Sequence, residues 1–321
     1  MGLGTHQQSS QRTQPVADVA GGAASGSTAI WINGRLEPAG RPLLPVTDRG
    51  FQVGDGIFET VRVVGGRALE LALHASRLQA SSSVLAIALP EDLESYLERA
   101  ITDLCRANGM SHAGTQVAVR ITVSRGAVDG RSLFPPDHVV PNVVVQAWRV
   151  DPPSPELLSR GLGLTISDVR RDPASPLATV KTTSRAEFVY AQLEAHRRGA
   201  DEALFLTTDG HLAEATSACL FLGEAAGLAT PSLDCGILVS TTRSWVISAG
   251  GPSLGLAVRE ARLTPDDLFG ADEAFLASSV AGILPVTRVD GRLIGTGRPG
   301  VWTLGLRALR ENAASELEPV L

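Results

Sequence analysis

The pattern of apolar and polar residues predicts alternating strands and helices from residue 29 onward. AIWINGRLEPAG (29–40) indicates two strands joined by an Asn-Gly turn, because that dipeptide favours tight hairpins. GIFETVRVVGGRALELALHASRL (56–78) indicates an alternating strand, a Gly-Gly turn, a second strand and a helix starting near His74. Apolar residues recur at helical spacing within 90–109. Two segments rich in β-branched residues are further predicted strands: VAVRITVSRG and VVVQAWRV.

The second half of the chain follows a Pro-rich break, DPPSPE, which favours an interdomain linker. Predicted elements after it are a strand in LGLTISDV, a helix ending at Gly199, two strands joined by an Asp-Gly turn in EALFLTTDGHLAEATSACLFLG, a short helix in TRSWVISAGG, a strand in VREARL, a strand–turn–strand in EAFLASSVAGILPVTRVDGRL and a last helix over 299–312. This order predicts an α+β fold of two lobes with a ligand cleft between them.

The predicted domain organisation has four parts. Residues 1–28 are poor in large apolar residues and are predicted to be a disordered tail. A smaller N-terminal α/β lobe is predicted over 29–150, a linker over 151–157, and a larger C-terminal lobe over 158–321.

Composition and charge exclude several function classes. The chain is 44% hydrophobic and 19% charged, which is typical of a globular protein. Its formal net charge is −6 and no Lys/Arg run occurs, so we expect no nucleic-acid partner. No apolar stretch is long enough to span a membrane. Three widely spaced cysteines argue against a disulfide scaffold and fit a reducing cytoplasm, and six histidines in no ligand-type spacing argue against a metal site.

The chain contains a single lysine, Lys181. A composition rich in arginine explains why other lysines are missing, but it does not explain why one remains. Arginine can replace lysine as a solvated charge, whereas only lysine can lose its proton and attack a carbonyl. The lone lysine therefore indicates amine chemistry.

Several blocks around this lysine, taken together and in order, resemble class IV pyridoxal-phosphate enzymes, the fold-type IV group. The blocks are DRGFQVGDGIFETVRV, LHASRL, VKTTSRAEFVYAQLEAHRRGADEALFLTTDGHLAEATSACLFL, TPSLDCGILVSTTR and FLASSVAGILPVTRVDG. The resemblance covers about residues 29–312. The group includes branched-chain aminotransferases, D-amino-acid aminotransferases and aminodeoxychorismate lyases. It implies a two-domain α+β fold with pyridoxal 5'-phosphate (PLP) in the interdomain cleft.

The resemblance implies a role for particular residues of this chain. Lys181 matches the catalytic lysine that holds the cofactor as a Schiff base and moves a proton. Glu214 matches the glutamate that pairs with the pyridine nitrogen, and Arg77 matches the phosphate-binding arginine. Further cofactor-binding residues implied by the matching blocks are Thr241, Thr242, Ser279 and Ser217. His74, one helical turn before Arg77, is expected to be structural support.

Substrate recognition is less well defined by the resemblance. Phe58, Arg62, Arg131 and Ser278 are the residues expected to contact substrate. This chain has Ala215 and Cys219 where the family commonly has glycine and asparagine, and Ser184 where asparagine is frequent. The Arg-x-His carboxylate motif of D-amino-acid aminotransferases is also incomplete here, since Arg131 is followed by Ser132 and Leu133.

Three functions remain open from the sequence. The first is an aminotransferase that moves an amino group from an amino acid or amine to a 2-oxo acid. The second is an aminodeoxychorismate lyase, which makes 4-aminobenzoate and pyruvate with the same lysine. The third is a non-catalytic binding protein on the same scaffold, which would be expected to have lost the lysine or the glutamate. The resemblance also implies a homodimer, and we expect a cytoplasmic location.

Overall fold

A computed structural model describes residues 28–41, 44–130 and 132–315. The predicted tail over 1–28 therefore lies, except for Thr28, outside the described residues. Within the described ranges, no helix is long and apolar enough to cross a membrane, and no group of three or more His, Cys, Asp or Glu side chains could hold a metal ion.

The first sheet is antiparallel throughout and has the strand order β2-β1-β6-β5-β3-β4. Its strands are β1 (Ala29–Ile32), β2 (Arg35–Pro38), β3 (Gly56–Val64), β4 (Arg67–Ala68), β5 (Gln116–Ser124) and β6 (Asn142–Arg149). The helices of this lobe are α1 (Arg49–Val53), α2 (Leu71–Leu85) and α3 (Leu93–Ala107). Leu78 of α2 and Leu97 of α3 pack with Val61 and Val119 of the sheet in one buried cluster.

The second lobe contains a larger, mixed sheet. Its strands are β7 (Leu162–Arg171), β8 (Glu202–Thr207), β9 (Leu212–Ala215), β10 (Cys219–Glu224), β11 (Gly227–Pro231), β12 (Val258–Ala261), β13 (Glu273–Ser278), β14 (Gly282–Val289) and β15 (Arg292–Leu293). Its helices are α4 (Pro155–Arg160), α5 (Ala186–Arg197), α6 (Thr241–Trp245), α7 (Gly251–Ser253), α8 (Pro265–Gly270) and α9 (Val301–Ser315), with a π-helical turn Val246–Gly250 and a 3-10 turn Leu233–Cys235.

This larger sheet closes on itself. The strand order β10-β13-β14-β7-β8-β9 is completed by a pairing of β9 with β10, in which Glu214 lies opposite Cys219. Leu204, Leu220, Leu276 and Leu284 belong to one buried cluster supplied by four of these strands. Glu214 is thus placed at the closure of a curved, rigidly packed sheet, where its backbone position is fixed from both sides.

Most predicted elements are confirmed, with four differences. The Asp-Gly region contains three strands rather than two, because the chain turns again at Thr216 and Ser217 before β10 begins. Both hydroxyls donate to the buried carboxylate of Glu202, so local side-chain bonds compete with a continuous strand there. The helix expected near His74 begins at Leu71, and the last helix spans Val301–Ser315 rather than 299–312. Helix α4 also starts within the segment 151–157 expected to be a linker.

Candidate active site

Lys181 lies on an extended segment of the second lobe that is hydrogen-bonded to the first sheet. The amide of Phe58 on β3 donates to the carbonyl of Lys181 at 2.9 Å, and the amide of Thr183 donates to the carbonyl of Gly56 at 2.9 Å. The hydroxyl of Thr183 also donates to the carbonyl of Gly54 at 2.8 Å. These bonds fix the lysine backbone against the first sheet shortly before α5 begins, so its side chain leaves from a rigid support.

The environment of the Lys181 side chain favours the neutral amine. The Nζ atom lies 4.7 Å from the ring centroid of Phe58. Burial, reinforced by the positive charge of Arg77, lowers the pKa of Lys181 to about 7, from the 10.5 of an ordinary lysine. An amine that is substantially deprotonated near neutral pH is a competent nucleophile toward an aldehyde.

Arg77 is held by a buried carboxylate that sequence reasoning missed. Its Nε and Nη2 atoms donate to the two oxygens of Glu59 at 2.7 and 2.6 Å. His74 donates to the same carboxylate at 2.7 Å, which is the structural role expected for it. Burial alone would raise the pKa of Glu59, but the hydrogen bonds from Arg77 and His74 lower it to about 2. Glu59 therefore remains ionised and fixes the arginine fork from behind.

The predicted phosphate residues come together around Arg77. Its Nη1 donates to the carbonyl of Val239 at 2.8 Å, shortly before α6. The hydroxyls of Thr241 and Ser279 lie 3.1 Å apart, and Ser279 lies 3.4 Å from Nε2 of His74. Arg77 thus donates three N–H groups to the chain, two to Glu59 and one to Val239. An arginine has five N–H groups, so others remain for an anion.

Thr242 gives the strongest indication that a group from outside the chain belongs here. Its hydroxyl is fully buried and has no hydrogen-bond partner among the described residues. An unsatisfied buried hydroxyl costs roughly 1–3 kcal/mol, so its retention favours a ligand that accepts from it. Together with the arginine and two more hydroxyls, this donor set fits a phosphate group.

Glu214 lies on β9, across the segment 238–239 from Arg77. Its carboxylate accepts from the amide of Leu238 at 3.2 Å and lies 3.6 Å from Nη2 of Arg171. Burial raises its pKa above the ordinary glutamate value, with Arg171 opposing the shift. A carboxyl group with high proton affinity suits a hydrogen bond that keeps a ring nitrogen protonated.

The other predicted residues occupy different surroundings. Phe58 is buried beside the lysine, and Ser278 ends β13 next to Ser279. Ser217 donates to Glu202 at 3.3 Å. Arg62 donates to both oxygens of Glu311 on α9, at 3.0 and 2.6 Å, so a substrate role for Arg62 would require that ion pair to open. Arg131 lies outside the described residues.

Two arginines near the lysine were also missed. The guanidinium carbon of Arg120 lies 3.8 Å from the Phe58 centroid, and that of Arg185 lies 3.2 Å from the Phe188 centroid and 5.8 Å from the Phe58 centroid. The sequence contains a feature that could have pointed to each of these arginines. Arg120 interrupts the apolar run VAVRITV on β5, and Arg185 follows the lone lysine by four residues at the start of α5.

The site belongs to a known enzyme class. Residues 56–289 match the sequence model of the amino-transferase class IV family, which is most of the chain, and the chain is therefore a member of that family. The fold prediction is confirmed, and so is the prediction that the chain is an enzyme of the pyridoxal-phosphate-dependent transaminase type.

Individual relatives differ in the reactions that their names record. A Methanocaldococcus jannaschii protein, provisionally named a branched-chain-amino-acid aminotransferase, is 32% identical over 87% of this chain and 93% of its own length. A D-alanine aminotransferase of Bacillus licheniformis is 28% identical over 88% of this chain and 96% of its own. An aminodeoxychorismate lyase of Bacillus subtilis is 30% identical over 81% and 86% of the two chains.

A solved structure agrees over nearly the whole chain. The T.th. branched-chain amino acid aminotransferase, determined with pyridoxamine 5'-phosphate, superposes with a TM-score of 0.83. It is 28% identical and covers 91% of this chain and 96% of that one.

Proposed function

We propose that the chain transfers an amino group from an amino acid to a 2-oxo acid, with PLP linked covalently to Lys181. The observation that carries this proposal is the lone lysine, whose pKa of about 7 makes a neutral amine accessible between the Arg77 cluster and Glu214. PLP, when bound, withdraws electrons from the bonds at the substrate Cα and so makes its proton removable.

Each residue has a distinct task in this proposal. Lys181 holds the cofactor and then, as a free amine, removes and returns the Cα proton. Arg77, Thr241, Thr242 and Ser279 bind the phosphate. The carboxylate of Glu214 keeps the ring nitrogen protonated, supported by the donation from Leu238. Ser217, next to this strand, is proposed to support cofactor binding through its bond to Glu202.

A direct test uses the fact that the chain has one lysine. PLP-loaded protein is reduced with borohydride and mapped by mass spectrometry. We expect one cofactor adduct, on Lys181, and none in Lys181→Arg, which keeps the positive charge but cannot form the linkage. Arg197→Gln, an exposed change on α5, serves as a control that should retain the adduct. An adduct-free wild-type protein would refute the proposal.

Product analysis separates transfer from elimination. Wild-type protein is offered L-leucine, D-alanine and L-glutamate with a 2-oxo acid, and (R)-1-phenylethylamine as an amine donor. We expect transfer from at least one amino acid. The 30% identity to an aminodeoxychorismate lyase makes elimination the second candidate. Formation of 4-aminobenzoate and pyruvate from aminodeoxychorismate, with no transfer from any donor, would establish the lyase instead.

A homodimer is also proposed, and apolar exposure supports it. Phe51, Leu133, Phe134 and Val140 are 77%, 77%, 79% and 83% exposed. Arg49 of α1 donates to the carbonyls of Ser132 and Leu133 at 2.8 and 2.7 Å, so the segment that carries Leu133 and Phe134 is tied to the helix that carries Phe51. Sedimentation equilibrium should give twice the chain mass, and a monomer would refute this.

A cytoplasmic location stays a prediction, supported by the unpaired state of the three cysteines.

A further inference from the structure

The last helix, α9, forms two ion pairs with the first lobe through adjacent residues of opposite charge. Arg310 donates from Nη1 to Oε1 of Glu70 at 2.6 Å. Glu311 accepts from both Nη atoms of Arg62, at 3.0 and 2.6 Å. The side chains of Arg310 and Arg62 are only 8% and 5% exposed, so both pairs are largely shielded from water. The helix therefore joins the second lobe to the first at two neighbouring points.

Glu70 lies beside the proposed phosphate site. It directly precedes α2, and its carbonyl accepts from the amide of His74 at 3.1 Å. Burial alone would raise the pKa of Glu70, but the hydrogen bond from Arg310, together with the nearby His74 and the hydroxyl of Thr241, lowers it below the ordinary glutamate value. Its Oε2 atom is buried and forms no hydrogen bond of standard geometry with the described residues. A carboxylate that is ionised at neutral pH thus lies next to Thr241.

Arg310 also contacts the helix that carries Thr241. Its guanidinium carbon lies 5.0 Å from the ring centroid of Trp245, the last residue of α6, and α6 begins at Thr241. A cation above an aromatic face is attracted to the ring. Arg310 is therefore fixed between Glu70 of the first lobe and Trp245 of the second, at the boundary of the proposed phosphate site.

The charges around this site give the neutralisation of Glu70 a consequence. Arg77 is already paired with Glu59, so these two charges cancel. Without Arg310, the carboxylate of Glu70 would leave a net negative charge beside a site for an anion, and burial would limit the screening of that repulsion. Among the described residues, Arg310 has no hydrogen bond to Arg77 or to the hydroxyls of the site. Its effect on an anion there must therefore pass through Glu70.

We infer that Arg310 is a positioning residue for the cofactor phosphate, which it serves by neutralising Glu70, so that the protein holds PLP in preference to its dephosphorylated form, pyridoxal. This inference rests on the proposed function, because it requires the phosphate to lie beside Thr241. It also distinguishes the two ion pairs of α9. The pair of Arg310 and Glu70 acts on the phosphate, whereas the pair of Glu311 and Arg62 only joins the lobes.

The affinities for PLP and pyridoxal test the inference without relying on turnover. Both are bound to the full-length protein in equilibrium dialysis at neutral pH, and the ratio of the two affinities is the readout. We expect Arg310→Gln to weaken PLP binding about tenfold and to leave pyridoxal binding unchanged, because only PLP carries the charge that Glu70 repels. Arg310→Lys keeps the positive charge and should therefore retain most of the wild-type ratio.

Glu70→Gln separates an electrostatic role from a purely structural one. It breaks the same ion pair but removes the negative charge, so it should bind PLP, relative to pyridoxal, at least as tightly as wild type does. The double variant Glu70→Gln/Arg310→Gln should return the ratio to within about threefold of wild type, since the charge that requires neutralisation is gone. Glu311→Gln is the matched control. It breaks the neighbouring pair, whose arginine also donates to Gln116 at 2.9 Å, and should leave the ratio unchanged.

A structural role of the ion pair predicts a different pattern. Unchanged PLP binding in Arg310→Gln, or equal weakening of PLP and pyridoxal, would overturn the inference. A lower preference for PLP in Glu70→Gln, or a double variant as impaired as Arg310→Gln, would overturn it likewise, and the Glu70→Gln result decides even if Arg310→Gln fails to fold. A wild-type protein that develops no lysine-linked absorption with PLP, or that binds pyridoxal as tightly as PLP, would instead refute the proposed function.

Discussion

Replacing Glu59 by glutamine removes the charge that holds the Arg77 fork. The carboxylate is fully buried and receives two bonds from Arg77 and one from His74, at 2.6 to 2.7 Å. Glutamine has nearly the same shape, but its amide presents one acceptor and a donor group that faces the donors of its neighbours. The variant therefore leaves a buried guanidinium without its counter-charge.

The size of the effect follows from the pKa of Glu59. The folded protein lowers this pKa from 4.5 to about 2, a stabilisation of the ionised form on the order of 3 kcal/mol. Breaking a buried ion pair by removing one partner costs a similar roughly 3–5 kcal/mol. Since the folded pKa is depressed, this stabilisation is present above the unfolded pKa of 4.5 and is lost as the pH falls toward 2. We expect Glu59→Gln to lower the free energy of unfolding by about 3 kcal/mol at pH 7 and by roughly half as much at pH 3.

Urea unfolding at several pH values measures this prediction. The urea midpoint should fall, while the dependence of the unfolding free energy on urea concentration should stay constant. This combination identifies a change in stability rather than a change in the compactness of the folded or unfolded state. Glu98→Gln, an exposed position on α3, is the matched control and should leave the midpoint unchanged. The assigned role of the buried carboxylate is wrong if Glu59→Gln unfolds at the wild-type urea midpoint at about pH 7. It is also wrong if the variant loses as much free energy of unfolding at about pH 3 as at about pH 7.

Three further predictions concern other parts of the site. Because burial lowers the pKa of Lys181 to about 7, the rate of PLP capture, followed by absorbance, should rise with pH through about 7 and then level off. A rate that keeps rising toward the ordinary lysine pKa of 10.5 would contradict this. Thr242→Val should leave the free energy of unfolding unchanged or raise it by about 1 kcal/mol, yet it should weaken PLP binding about tenfold in a dialysis assay. The control Thr230→Val loses a hydrogen bond to Leu220 and should lower the free energy of unfolding by about 1 kcal/mol. Gly54→Ala should destabilise by about 1–2 kcal/mol in urea unfolding, since Gly54 has a φ of +68° and an added Cβ would meet the Ser184 hydroxyl, while Gly40→Ala should be neutral.

The fold was largely predictable because its local signals agree with each other. The Asn33-Gly34 turn, the alternation in GIFETVRVV and the helical spacing of 93–104 each predict the element that is present. The extra turn at Thr216 and Ser217 could not be predicted from the chain locally. It depends on Glu202, a carboxylate 14 residues from Thr216 that accepts from both hydroxyls inside the lobe.

The candidate site was predictable where a residue belongs to a conspicuous block and not where its role depends on a distant partner. Lys181 stands out as the single lysine, and Arg77 lies in a block that resembles the family. The partner of Arg62 is Glu311, which is 249 residues away, so no local pattern indicates that this arginine is already paired. Arg120 and Arg185 approach the same ring from different lobes, and this convergence exists only in the folded chain.

A short segment between the 3-10 turn and α6 connects the two ends of the proposed cofactor site. Leu238 donates through its amide to Glu214, and the carbonyl of Val239 accepts from Arg77. Ser240 then caps α6, placing Thr241 beside Ser279. Because neighbouring residues contact Glu214, proposed to bind the ring nitrogen, and Arg77, proposed to bind the phosphate, the spacing between those two groups is set by backbone geometry rather than by long side chains. We therefore expect the spacing to be rigid, and the side chain of the lysine, whose backbone is fixed against β3, to be the part of the site that moves during the reaction.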